Sequence, residues 1–155
     1  MPGSEHVVLI DRLKTTARDL VSLTSGVTRA ALDRRPAPRE WSAAMVLTHL
    51  AEAELVYANR IKLALVEDRP HFPPVVPDAI VERLSRVDED VKETLARWRV
   101  NREHAVRLLE SLEEPEWRRP AVHPTRGELS LRQVVSLLAD HDRNHLDQLR
   151  KAVSG

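Results

Sequence analysis

The chain contains no cysteine. That excludes disulfides, thiolate metal sites and a nucleophilic thiol of the protein's own. Net charge is also missing, because 24 basic residues face 24 acidic ones. No basic field exists to gather nucleic acid or an anionic membrane surface, so neither partner is expected. No run of apolar residues is long enough for a membrane span. The opening residues Met1-Pro2-Gly3-Ser4-Glu5-His6 lack the basic and apolar regions of a signal peptide, and a cytoplasmic protein is the default expectation. Period-two alternation of β-branched residues is absent, which makes a sheet improbable. Glycine is scarce: Gly3, Gly26, Gly127 and Gly155 stand near the ends of helix-forming stretches and never in their middles.

What remains is a chain of 155 residues, 42% hydrophobic. This suits one domain over residues 1–155 with a genuine apolar core. Its ten prolines are clustered at 2, 36, 38, 70, 73, 74, 77, 115, 120 and 124. Proline removes a backbone donor and clashes with the preceding turn, so long helices fit only between the clusters. The four long gaps are 3–35, 39–69, 78–114 and 125–155. In the first, Leu9, Leu13, Ala17, Leu20 and Leu23 form one stripe that Gly26 can end, with a short helical turn through Thr28 to Leu32. The second opens at Ser42, a good N-cap, with Trp41 placed to staple onto Val46. The third carries Val91, Leu95, Trp98, Ala105, Leu109 and Leu112. The fourth opens with Ser130-Leu131-Arg132-Gln133, a capping box. The pattern predicts an all-α four-helix bundle, with a three-helix bundle and a loose first helix as the alternative.

Histidine interrupts two of these apolar stripes. In the last helix the seam runs Leu131, Val134, Leu138, His141, His145, then Gln148 or Leu149. The spacing His141-x-x-x-His145 sets two imidazoles one turn apart on one face, a two-toothed chelate. In the second helix the seam runs Val46, His49, Ala53, Val56, Arg60, Leu63, so His49 points inward as well. A single inward histidine is commonly a hydrogen-bonded core residue. Three together are costly unless their nitrogens are satisfied, and one divalent ion satisfies all three. Three protein ligands leave a position open for water or substrate, as in catalytic sites. Imidazole donors suit zinc, nickel, copper or iron, with zinc and nickel leading. A di-iron carboxylate site is disfavoured, because no Glu-x-x-His occurs in the chain.

Other residues are candidates for the chemistry. Glu52, one turn after His49, could orient a ligand or accept a proton, or be a solvated acid. Arg60, on the inward seam, could fork onto a substrate carboxylate or pair with an acid of another helix. Tyr57, the one tyrosine, could donate to a substrate or simply pack. Asp142 and Arg143 flank the histidines and could support those ligands from behind, and His123 could line the mouth of the site. His6, His71 and His104 fall off the pattern and are expected in solvent. The segment 70–77, with Phe72, could cover one end of the bundle, though a plain connection is the leading reading.

Several stretches together resemble the DinB-like superfamily, and within it the YfiT-type branch of metal-dependent hydrolases. They are Glu40-Trp41-Ser42, His49-Leu50-Ala51-Glu52, Arg60-Ile61-Lys62-Leu63-Ala64-Leu65, His123-Pro124-x-x-Gly127, Leu129-Ser130-Leu131, and Asp140-His141-Asp142-Arg143-Asn144-His145-Leu146. The likeness runs from about residue 30 to residue 150, and the order and separation of the motifs carry it. It implies an up-down-down-up bundle and a metal held by one histidine of the second helix and two of the fourth, matching His49, His141 and His145. Some relatives place a glutamate where His141 stands. The resemblance further implies hydrolysis, or transfer of an exogenous low-molecular-weight thiol onto a small-molecule substrate, and a homodimer. In either chemistry the ion acts as a Lewis acid. A non-enzymatic metal-binding or ligand-binding helical module is the alternative, and a helical interaction protein with incidental histidines a third.

Overall fold

The computed structural model describes residues 3–154. In chain order the elements are α1 (Ser4–Thr24), α2 (Arg29–Asp33), α3 (Ala43–Val66), α4 (Pro77–Leu84), α5 (Val91–Glu110), α6 (Glu114–Trp117), β1 (Pro120–His123), β2 (Gly127–Ser130) and α7 (Leu131–Ser154). The long helices α1, α3, α5 and α7 form a four-helix bundle. Helix α3 packs against both α5 and α7, and α1 closes the ring against the same two.

Two buried clusters fix the helix directions. One holds Leu9 and Leu13 of α1, Ile61 and Ala64 of α3, Val106 and Leu109 of α5, and Leu131 and Leu138 of α7. The other holds Leu20, Leu47 and Leu50, Val91 and Trp98, and Leu146 and Leu149. The start of α1 therefore lies beside the ends of α3 and α5 and the start of α7. This is an up-down-down-up order, with α3 and α5 parallel and α3 and α7 antiparallel. A parallel neighbour requires the chain to travel back along the bundle after α3. Residues 67–90 make that return, with α4 lying against α3 on the way.

Local chemistry sets the boundaries. Gly26 takes a positive φ of 73° just past α1, where a side chain would be strained. Thr28 caps α2. Ser42 Oγ accepts from the Met45 N–H at 3.2 Å and opens α3. The end of α3 is held by Arg119, which donates to the carbonyls of Ala64 (2.6 Å) and Glu67 (2.9 Å). The capping box expected before α7 is present: Gln133 Oε1 accepts from Ser130 N–H at 2.8 Å, and Ser130 Oγ from Gln133 N–H at 3.2 Å.

Three sequence expectations need correction. The gap 78–114 is two helices, not one, because Asp90 and Glu93 form a second capping box that restarts the chain at Val91. A small sheet does exist. Strands β1 and β2 pair antiparallel, with Gly127 at φ 72° opening β2, and the segment 70–72 joins them: Phe72 N–H donates to the Val122 carbonyl and Val122 N–H to the Pro70 carbonyl. Four-residue strands are too short to show an alternation in the sequence. His6 is not in solvent: it is buried and stacks on Trp117 with ring centroids 4.2 Å apart. His71 and His104 are exposed as expected.

Candidate metal centre

The antiparallel packing of α3 on α7 brings His49, His141 and His145 together. His49 Nε2 lies 2.8 Å from His141 Nε2 and 3.0 Å from His145 Nε2. Gln148, one turn after His145, accepts from His145 Nδ1–H through its Oε1 at 2.8 Å. That bond leaves the His145 Nε2 lone pair aimed at the other two rings. A neutral His49 ring carries at most one proton on Nε2, so the two contacts cannot both be ordinary hydrogen bonds. A shared cation resolves the conflict, and this donor set fits one divalent ion. Burial first, then the charges of His145 and His141, push His49 down to about 3. Burial likewise lowers His145. Both rings are thus neutral near pH 7, the form that binds metal.

Residues the sequence reading passed over hold this centre from behind. Arg102 of α5 is 2% exposed and Glu54 of α3 is 1% exposed. Arg102 donates to Glu54 at 2.9 and 2.6 Å, to Asp142 at 2.8 and 3.2 Å, and to the Leu13 carbonyl at 3.0 Å. Every guanidinium N–H is thereby used. Thr16 Oγ1 donates to Asp142 at 2.9 Å. The cluster ties all four long helices together in the layer next to the histidines. Burial raises Glu54. Asp142 is also pushed up by burial, but the charge and N–H donors of Arg102 and the Thr16 hydroxyl hold it low. Its Oδ1 lies 4.0 Å from His141 Nδ1, beyond hydrogen-bond distance. That nitrogen is buried without a partner. Arg143 points outward and pairs with Asp140.

A cavity of about 230 Å³ opens beside the trio. His49, His141, Glu52, Tyr57 and Arg60 line it, and the returning chain closes it with Val75, Pro77, Ile80 and Val81. The segment 70–77 is thus a cavity wall and not merely a connection. Glu52 Oε1 accepts from Arg97 at 2.9 Å, and Arg97 is also bonded to Glu89. Arg60 is buried, donates to the Pro73 carbonyl at 3.3 Å, and lies over the rings of Tyr57 and Phe72. His123 is half-buried in the β1–β2 hairpin, its Nδ1 accepting from the backbone N–H groups of Thr125 and Arg126.

Fold and donor set together define a four-helix-bundle protein with a three-histidine centre fit for a divalent metal. The model of the DinB superfamily matches residues 12–149, and the chain belongs to that superfamily. YuaE of Bacillus subtilis is 25% identical over 138 residues, covering 81% of this chain and 85% of YuaE. A protein of Oceanobacillus iheyensis, OB0413, named provisionally as a metal-dependent hydrolase, is 28% identical over 123 residues, 74% of this chain. The match spans 65% of that relative's length. Among solved structures, YfiT of Bacillus subtilis superposes with a TM-score of 0.89 at 23% identity, covering 98% of this chain and 87% of YfiT. It is described as a probable metal-dependent hydrolase with an unusual four-helix bundle topology. The DinB-like protein YjoA of the same organism gives 0.66 at 16% identity, with 94% and 89% covered.

Proposed function

We propose that this protein is a metal-dependent hydrolase of a small molecule, with one zinc or nickel ion held by His49, His141 and His145. The observation that carries the reading is the convergence of three Nε2 atoms, with that of His49 2.8 Å from His141 and 3.0 Å from His145, beside a cavity that His49 and His141 line. When bound, such an ion supplies Lewis acidity and makes a water or thiol a better nucleophile. The chain's own residues do the rest. Gln148 holds the His145 tautomer. The apolar wall of Val75, Ile80 and Val81 limits water around the reacting group. Glu52 is the carboxylate on the cavity lining, and we assign it the proton released by the nucleophile. Arg60 orients the substrate. The relatives named as metal-dependent hydrolases support the reaction class.

Transfer of an exogenous low-molecular-weight thiol is the second form of the same chemistry, and the absence of cysteine means that the thiol must come from outside. One observation favours a non-enzymatic binding module instead: an oxygen of Glu52 is already committed to Arg97. The family resemblance also supports a cytoplasmic homodimer, which sedimentation would check.

The test is elemental analysis of the wild type and of His49→Ala and His145→Ala after reloading with zinc or nickel. About one ion per chain, lost in both variants, is expected. Small esters, amides and electrophiles are then assayed with and without an added thiol. Turnover without thiol supports hydrolysis, and strict thiol dependence selects transfer. A saturated site with no turnover of either kind supports the binding module. No ion in the reloaded wild type would end the metal reading.

A further inference from the structure

We infer that the cavity beside the histidine trio takes a small, elongated, mostly apolar monocarboxylate whose anionic end is held by Arg60. This deepens the reading of that cavity as a substrate site and rests on it.

The argument starts from charge. A buried guanidinium without an acid is costly, and Arg102, the other arginine buried this deeply among the described residues, is paired, as is the half-buried Arg97. Arg102 has two carboxylates and a carbonyl, and Arg97 has Glu52 and Glu89. Arg60 is 7% exposed, yet among the described residues no Asp or Glu stands within 4.0 Å of it. Among the described residues its one acceptor is the Pro73 carbonyl. The Tyr57 and Phe72 rings cover the guanidinium at 5.6 and 5.2 Å. They give it cation–π support but no compensating charge. The remaining N–H donors belong to a residue that lines the cavity, and they form the planar fork that fits a carboxylate.

Shape narrows the ligand. His49 and Arg60 both line the cavity from α3, eleven residues and so about 16 Å of helix rise apart, and the Tyr57 ring, on the same lining, has its centroid 5.8 Å from that of His141. A ligand anchored at Arg60 therefore reaches the histidine centre only through an extended body. The wall along that path is Ala53, Val56, Ile80 and Val81, so the body is apolar. The volume, about 230 Å³, lies below the usual range for drug-sized pockets and suits a small molecule. One guanidinium neutralises one charge. A phosphate dianion would carry an uncompensated charge into an apolar wall, and a monoanion would not.

The test is calorimetric titration of hexanoate, hexanamide and hexyl phosphate into the purified protein. It is done on metal-free and zinc-reloaded samples of known metal content. Hexanoate is expected to bind both forms, with hexanamide at least about tenfold weaker, because the amide leaves the guanidinium unpaired. Arg60→Gln should lose about the same factor. Arg60→Lys should fall between, keeping the charge but losing the fork. Equal affinity for hexanoate and hexanamide in the wild type overturns the inference, whatever the variants do. So does hexanoate binding that requires zinc and survives Arg60→Gln, since the carboxylate would then sit on the metal. Tighter binding of hexyl phosphate overturns the monocarboxylate assignment. Zinc uptake without acid preference leaves the metal reading standing and removes this one. Acid preference in a chain that takes no metal does the reverse.

Discussion

Arg102 of α5 is bonded to α1, α3 and α7 at once, and its removal exposes the logic of the centre. Its five donors are spent on Glu54, Asp142 and the Leu13 carbonyl. Arg102→Met leaves two buried carboxylates without their cation, a loss of about 3–5 kcal/mol. Urea denaturation should report that as a large fall in midpoint, and a variant as stable as wild type would contradict the account. Gln148 acts differently, because it is half-buried and touches one ring. Gln148→Ala should change folding stability by about 1 kcal/mol or less. It should still weaken zinc affinity roughly 10–100-fold, because the His145 tautomer is no longer fixed. Competition with a chelating dye measures this. The three histidines were legible in the sequence because each interrupts a regular apolar seam. Arg102 was not, because the stripe of the third long helix was traced from Trp98 straight to Ala105, a step of seven that passes over it. Glu54 was missed for a related reason. The deeply buried row of α3 is Leu47, Leu50, Ala51, Glu54 and Ile61, one residue away from the seam through His49 and Arg60. The histidine seam faces α7 and the cavity, while the neighbouring row faces the bundle axis.

At the scale of elements, capping chemistry was readable and the return path was not. The start of α3 is set by Ser42, and His49 lies two turns further on. Ser42→Ala should cost about 1 kcal/mol by leaving the Met45 N–H unpaired. A thermal melt checks it, and no change would mean that Trp41 packing alone fixes the helix start. Proline spacing marked where long helices could exist, but it could not reveal the break between α4 and α5, where no proline stands. Helix α4 has eight residues, with Val81 as its one fully buried side chain. Few buried contacts mean a low local opening energy. Amides of α4 are therefore expected to exchange faster with deuterium than those of the buried stretches of α3 and α7. Equal protection would show instead that the cavity wall is as rigid as the bundle.

The whole molecule couples the metal to the fold through topology. The up-down-down-up order was expected from the family resemblance and not from periodicity, which records which face of a helix is apolar but not which neighbour it meets. That order sets His49, early in α3, against His141 and His145, on either side of the middle of an antiparallel α7. An ion there joins two helices far apart in sequence, and the unfolded chain has no such site. Ligand binding to the native state alone adds RT ln(1 + [L]/Kd), about 2.7 kcal/mol at a hundredfold excess over Kd. For a chain of 155 residues this corresponds to a rise in Tm of roughly 5–11 °C. Zinc should therefore raise the melting temperature of the metal-free protein by about that amount, and a strong chelator should reverse it. His49→Ala should melt much as the metal-free wild type does, but with no response to zinc, because two imidazoles on one helix no longer bridge α3 to α7. A zinc shift that persists in His49→Ala would place the ion on α7 alone and separate metal binding from the packing of the two helices.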